Sequence, residues 1–267
     1  MSGPAAAEDL ALIVAAAQAA GDLAGRLRDQ GLTTEYKAGD ATPVTNADFA
    51  ADRLLTQTLR SARPDYGWLS EETIDDPARL TRRRLFVVDP IDGTRAFLRG
   101  APWWAVSVAV VEDRRPVAAV VFAPQLSETY AAAAGEGAVL NGQPIRSSGA
   151  VALENCGMVG DRRMFEHPDW PRPWPTMRID QRNSTAYRMC LVASGAFDAA
   201  MALVPKHDWD LAAADLIARE AGCFVGDHAG RPFAYNGVRP MQPSLICTTP
   251  ALAPLILERV RHIAVTT

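Results

Sequence analysis

Two carboxylates three residues apart, Asp89 and Asp92, close an apolar run that reads Leu85-Phe86-Val87-Val88-Asp89-Pro90-Ile91-Asp92-Gly93-Thr94-Arg95-Ala96-Phe97. Four apolar residues, two of them β-branched, predict a buried strand. Pro90 has no N–H for a ladder and biases Asp89 toward extended geometry. Gly93 permits a turn that a side chain would block, and Thr94 can cap a short helix opening at Arg95. The two acids are thus expected on a tight turn at the end of the strand. Carboxylates held that close repel unless a cation sits between them. Asp89, Asp92 and the Ile91 carbonyl are hard oxygen donors of the kind Mg²⁺ prefers. The N–H groups of Gly93 and Thr94 would face an anion at a helix start. An ion site beside an anion cradle points to phosphate chemistry.

Three further segments carry acids that can converge on this turn: Pro43-Val-Thr-Asn-Ala-Asp48, Leu69-Ser-Glu-Glu-Thr73, and Trp209-Asp210-Leu-Ala-Ala213 followed by Glu220-Ala-Gly222. In this order, with Asp89-Pro-Ile-Asp-Gly-Thr94 and Phe97, they resemble the motif set of the inositol monophosphatase superfamily of Mg²⁺-dependent phosphomonoesterases. The resemblance runs from about Lys37 to about Gly222. It implies a mixed α/β fold, a layered αβαβα sandwich of the sugar-phosphatase type. It also implies two or three Mg²⁺ ions, sensitivity to Li⁺, and a homodimer. In the family pattern Glu71, Asp89 and the Ile91 carbonyl bind the first ion. Asp89 bridges to a second, completed by Asp92 and Asp210. Asp48 and Thr94 orient or deprotonate the attacking water, with Glu71 bridging to a third ion and Glu72 behind it. Gly93 and Thr94 hold the phosphate.

Within the family, three features resemble the 3′(2′),5′-bisphosphate nucleotidases: Leu69-Ser-Glu-Glu, the basic Arg95 after Gly-Thr, and Trp103-Trp104-Ala-Val-Ser-Val-Ala. A second phosphate needs a cation, and Arg95, Arg99, Arg188 and Lys206 are the candidates. Inositol-specific members place an acid ahead of Trp-Asp, whereas this chain has Leu203-Val-Pro-Lys-His207. Inositol 1-phosphate, histidinol phosphate and fructose 1,6-bisphosphate are the other substrates considered. A regulatory protein that keeps the fold is the non-enzyme alternative, although every metal-binding acid is in place.

These residues need elements to position them. Apolar spacing predicts a helix over 8–30 stopped by Gly31, and a second from Thr45 or Asn46 to about Arg60 with Asp48 in its first turn. Residues 37–45, with Gly39 and Pro43, read as a loop. Trp68-Leu69 is a short strand ending at Glu71. Residues 75–84, rich in arginine, read as a solvated loop or as an anion-attracting rim. Strands are expected over 104–112, 116–123 and 128–133, so residues 1–146 form an antiparallel-rich half carrying most metal ligands. Residues 147–267 form an α/β half supplying Asp210 and substrate contacts. Its strands are placed at 156–160, 177–180, 197–204, 223–225 and 244–248, and its helices at 184–194, 209–221 and 252–260.

The 267 residues suffice for one large domain or two fused ones. At 48% hydrophobic and 22% charged the composition is ordinary for a globular chain. A net charge of −4 argues against a general binder of nucleic acid or membrane surfaces. The four cysteines lack a C-x-x-C pair and the four histidines lack zinc-ligand spacing. We therefore expect buried thiols in a reducing compartment and no structural zinc. Glu8 and Asp9 precede the first apolar run with no basic segment, so no signal peptide is expected. The run 10–20 is too short to span a bilayer, and the expected location is the cytoplasm.

Overall fold

The computed structural model describes residues 4–37 and 42–265. Gly39 of the expected loop lies outside them. Seven α-helices are present among the described residues: α1 (Pro4–Gln30), α2 (Asn46–Ala62), α3 (Thr94–Leu98), α4 (Arg162–Phe165), α5 (Thr185–Ala193), α6 (Asp208–Glu220) and α7 (Ala253–Val260).

A seven-stranded sheet runs, in spatial order, through Gly67–Ser70, Arg84–Asp92, Ala105–Glu112, Arg115–Ala123, Glu128–Ala133, Ala138–Leu140 and Gln143–Pro144. The first pair is parallel and the rest are antiparallel. A five-stranded sheet has the order Arg178–Asp180, Gly157–Val159, Ala199–Ala202, Leu245–Thr248, Phe224–Gly226. Its first two links are parallel and its last two antiparallel.

Side-chain alternation builds the layers. In the strand Arg84–Asp92, Leu85 and Val87 enter the core shared with α5 and α6, while Phe86 and Val88 enter the core under α1 and α2. Val106, Val108 and Val110 face α1 and α2, and Ala105, Ala109 and Val111 face α5 and α6. Both faces are covered, which is why these strands read as unbroken apolar runs. In the second sheet Ala200 and Cys247 share the core with α5 and α6, and Met201 and Ile246 face α7. The order is helix pair, sheet, helix pair, sheet, helix: the expected αβαβα sandwich.

Several expectations change. The stretch Ala6–Gln30 within α1 is long and apolar enough to cross a bilayer, beyond the 10–20 run recognised from sequence. Here Ile13, Ala17, Ala20 and Ala24 are fully buried against α2 and the sheet. Part of the expected loop 37–45 is a ribbon, Thr34–Tyr36 against Pro43–Thr45. The arginine-rich segment is not a solvated loop throughout: it holds a 3₁₀ turn, Pro77–Thr81, with Arg79 buried. Two-residue strands Lys206–His207 and Met241–Gln242 pair beside α6, too short for any periodic pattern to announce.

Candidate active site

The central strand does not end at Pro90. It continues to Asp92, with a register shift between the pairs Asp89–Ser107 and Asp92–Ala105. Between those pairs two residues on this strand, Pro90 and Ile91, oppose one on its neighbour, Val106, which is a bulge of one residue. Its effect is on parity. Leu85, Val87 and Asp89 share the face toward α6, and strict alternation would put Ile91 there next. The extra residue sends Ile91 into the opposite core and brings Asp92 to the side of Asp89. Pro90 falls where the ladder is already interrupted, so its missing N–H costs little.

Gly93 follows with φ +96° and is the N-cap of α3, which begins at Thr94 rather than Arg95. A Cβ on Gly93 would sit 3.0 Å from the Trp103 carbonyl and 3.1 Å from the Ser184 nitrogen. Thr94 thus caps nothing; its hydroxyl donates to the Ile91 carbonyl at 3.1 Å. That carbonyl keeps a second lone pair for a cation.

Each of the other acids is placed by a helix start or a strand end. Asp92 accepts from Ser184 Oγ at 2.5 Å, from Ala186 N at 2.6 Å and from Thr185 N at 3.1 Å. It sits on the N-terminus of α5, where orphan N–H groups and the helix dipole favour an anion. Asp210 stands in the first turn of α6 and accepts from His207 N at 3.0 Å. The His207 imidazole stacks on the Trp209 indole, centroids 4.4 Å apart. Glu71 extends the strand Gly67–Ser70, its N–H donating to the Val88 carbonyl at 3.2 Å. Ser70, on the opposite parity, donates to Asp52 Oδ1 at 2.6 Å, and Thr73 donates to Asp52 Oδ2 at 2.9 Å. Asp52 therefore clamps the turn that presents Glu71 and Glu72. Asp48 accepts from both Thr45 N and Thr45 Oγ at the start of α2, in a capping box.

Glu71, Asp89, Asp92 and Asp210 line one cavity of about 260 Å³, together with Thr42, Gly93, Thr94, Arg95, Asn183, Thr185 and Lys206. Ligand oxygens of Asp89, Asp92 and Asp210 lie within 4.8 Å of one another. The cost of this crowding appears in the pKa values. Burial pushes Asp89 well above the carboxylate range, with the charges of Glu71, Asp92 and Asp210 adding to it. Burial and the Asp210 charge push Asp92 up to about 6, against hydrogen bonds from Ser184, Ala186 and Thr185. Burial also pushes Asp210 up to about 6, opposed by Lys206 and reinforced by Glu71. A buried set of hard oxygen donors whose charges repel fits a divalent cation of the Mg²⁺ type. Asp89, Asp92, Asp210, Glu71 and the Ile91 carbonyl would hold it.

Not every expected residue reaches the cavity. Asp48 is buried behind it, its pKa raised to about 6 by burial, and its carboxylate bonds Thr45 rather than the Thr94 hydroxyl. Arg188 does not line the cavity: its guanidinium donates to Ser184 O and Thr185 Oγ on its own helix. Its charge still acts on Asp92 and Asp210. Arg99 is exposed and also outside the lining. Arg95 and Lys206 are the two candidates that do face it. Sequence reasoning missed Lys37 as a site residue: its ammonium bridges Glu71 at 2.9 Å and Glu72 at 2.8 Å. Burial raises Glu72 to about 7 in spite of that contact. Lys37 stands at the head of the Pro43–Asp48 motif, which was the available signal; Asn183 carried none. A larger groove of about 500 Å³ between α4 and the C-terminal segment is lined by Met164, Trp170 and Ile263 among others. Among the described residues Asp169 is the one carboxylate lining it, so no set of acids converges there.

The layered α/β sandwich whose carboxylates converge at one strand end is a fold that known proteins share. The family model described as the inositol monophosphatase family matches residues 6–264, and the chain belongs to that family. A histidinol-phosphatase of Mycobacterium tuberculosis is 37% identical over 253 residues, covering 86% of this chain and 94% of the relative. The 3′(2′),5′-bisphosphate nucleotidase CysQ of Salmonella typhimurium is 32% identical over 239 residues, with 82% and 91% covered. The solved inositol monophosphatase of Thermotoga maritima superposes with a TM-score of 0.82 at 29% identity, over 95% of this chain and 96% of that one. This chain is a phosphatase of that family.

Proposed function

We propose that the chain is a Mg²⁺-dependent 3′(2′),5′-bisphosphate nucleotidase, converting adenosine 3′,5′-bisphosphate to AMP. The observation that carries this is the charge of the cavity wall. Among the described residues, each carboxylate on it (Glu71, Asp89, Asp92, Asp210) belongs to the ion-binding set, and the charged side chains left over, Arg95 and Lys206, are cations. A second phosphate on the leaving group gains charge-assisted hydrogen bonds from them. Histidinol phosphate carries an ammonium, which they repel. An inositol ring brings hydroxyls, and Leu203-Val-Pro-Lys-His207 has no acid to receive them.

Bound Mg²⁺ supplies Lewis acidity, neutralising phosphoryl charge and lowering the pKa of water. The chain supplies the rest. The N–H groups of Gly93 and Thr94, at the start of α3, receive phosphoryl oxygens. Glu71 and Thr94 line the cavity and orient the attacking water, while Asp48 acts from behind through its charge on Glu71. Among the described lining residues there is no Ser or Cys, and water is the nucleophile in this reading, with no phosphoenzyme.

A second reading is histidinol phosphate. It is favoured by the names of two relatives, the M. tuberculosis protein and one from Chlorobaculum parvum, 33% identical over 235 residues. Phosphate release with Mg²⁺ decides between them, measured on adenosine 3′,5′-bisphosphate, histidinol phosphate, inositol 1-phosphate and fructose 1,6-bisphosphate, with and without Li⁺. The expected result is the highest kcat/KM on the nucleotide. Arg95→Ala and Lys206→Ala should each lower that value about 10-fold through KM, the size of a lost charged hydrogen bond. A higher kcat/KM on histidinol phosphate, unaffected by either substitution, overturns the reading.

A further inference from the structure

Arg79 lies in the 3₁₀ turn Pro77–Thr81, and its side chain is 1% exposed. Four of the five N–H donors of its guanidinium are committed. Nε and Nη2 hold the two oxygens of Asp75 at 2.5 and 2.8 Å. Nη1 donates to Asn236 Oδ1 at 2.6 Å and to the Gly237 carbonyl at 3.1 Å. Asn236 returns a bond from Nδ2 to the Arg79 carbonyl at 3.4 Å. The planar fork of arginine makes such a set of bonds in two directions at once, and a lysine does not.

The segment that Arg79 grips also holds the start of α6. Asn236 N donates to Asp208 Oδ2 and Gln242 Nε2 donates to Asp208 Oδ1, each at 2.8 Å. Asp208 N donates to the Pro240 carbonyl at 2.9 Å. Lys206 and His207 pair with Gln242 and Met241. Asp208 is the first residue of α6; Asp210 lies two residues on, and Lys206 two residues before. A continuous chain of bonds thus runs from Arg79 through Asn236 and Asp208 to the turn that carries Asp210.

We propose that Arg79 is a positioning residue for the ion site: through Asn236 and Asp208 it fixes the first turn of α6, and so holds Asp210 against Asp89 and Asp92. The proposal rests on reading Asp210 as an ion ligand. Its physical motive is repulsion. The Asp210 charge opposes those of Asp89 and Asp92, and a helix's first turn is where it frays most easily. Without an anchor, that turn would relax away from the strand acids until a cation drew it back. Groups that orient ligands from behind typically change ion affinity 10–100-fold when removed.

The test is calorimetric titration of the metal-free full-length chain with Mg²⁺ and with Mn²⁺. The variants are Arg79→Ala, Arg79→Lys, Asn236→Gly and Arg63→Ala. Arg63 pairs with the buried Asp9 at the end of α2 and serves as the control for lost stability alone. Asn236→Gly removes the amide that joins Arg79 to the segment and keeps the positive φ of 59° accessible. We expect Arg79→Ala to weaken ion binding about 10-fold or more, with Arg79→Lys restoring only part of the loss. Asn236→Gly should shift affinity in the same direction, and Arg63→Ala should leave it unchanged. Raising the ion concentration should recover kcat in Arg79→Ala without altering KM. Unchanged ion affinity in Arg79→Ala, with only the melting temperature lowered, overturns the proposal. If that variant does not fold, unchanged affinity in Asn236→Gly overturns it instead. Failure of the unaltered chain to bind either ion overturns the ion-site reading itself, a separate outcome from any variant effect.

Discussion

Asp92 and Asp210, each pushed up to about 6, and Asp89, raised well above the carboxylate range by burial, make the metal-free protein pH-sensitive. Their unfolded-state values lie near 4. Between that value and the folded one, the native state holds protons that the unfolded chain has released. The stability these groups contribute is then fully present below the unfolded pKa and is lost as pH rises through about 6. One such group shifted by about two units is worth about 3 kcal/mol at full ionisation. A bound divalent cation reverses the penalty by binding the ionised form. We expect the melting temperature in EDTA to fall from about pH 5 to about pH 7.5, and Mg²⁺ to raise it far more at the upper end. A metal-free protein that is more stable at the upper end would contradict the repulsion on which the ion site was argued.

At the scale of elements, the site is made where three helices begin beside one strand end. The strand Arg84–Asp92 supplies Asp89 and Asp92, α3 starts at Thr94 behind its N-cap Gly93, the start of α5 rests on Asp92, and α6 carries Asp210. Ser184 is the joint between two of them. Its hydroxyl accepts from Tyr187 N at 2.9 Å as the N-cap of α5 and donates to Asp92 Oδ2. Ser184→Ala removes both bonds at once. The expected cost is about 1–2 kcal/mol of stability in a denaturant melt. Ion affinity should weaken as well, because Asp92 loses the donor that orients it. Ser184→Thr should restore most of both. A loss of stability with unchanged ion affinity would make Ser184 a cap and nothing more.

For the molecule as a whole, the sheets change over between Pro144 and Gly157, near the 146/147 division drawn from the sequence. We propose that this is a division of sheets and not of folding units. One buried cluster takes Leu85, Val87 and Tyr130 from the first sheet, Tyr187 and Leu211 from α5 and α6, and Ala200 and Cys247 from the second sheet. Tyr130 and Tyr187 both donate to Glu128 at 2.9 Å across the same layer. Neither half can cover its apolar face without the other. Denaturant unfolding should be one transition whether followed by far-ultraviolet circular dichroism or by tryptophan fluorescence. Two separated transitions would show that each half folds alone.

By itself the sequence determined the αβαβα layering, most element positions and which acids are candidates for an ion site, because these follow from local periodicity and from four ordered motifs. The Leu-Phe-Val-Val run could only be a strand buried on both faces. Asp48 and Asp210 fell in first helical turns, as their helix-start contexts required. Only the tertiary structure decided which carboxylates meet. The bulge at Pro90 flips the parity of Asp92, and no residue pattern counts the partner strand's residues. Asp92 rests on a helix more than ninety residues away, and Arg79 turns from a loop charge into a buried anchor through Asn236, 157 residues on. Lys206 reaches the cavity and Arg188 does not, because the direction of a side chain depends on packing that forms after the chain has folded. Charge and type are local properties of a residue; distance, burial and therefore pKa belong to the folded molecule.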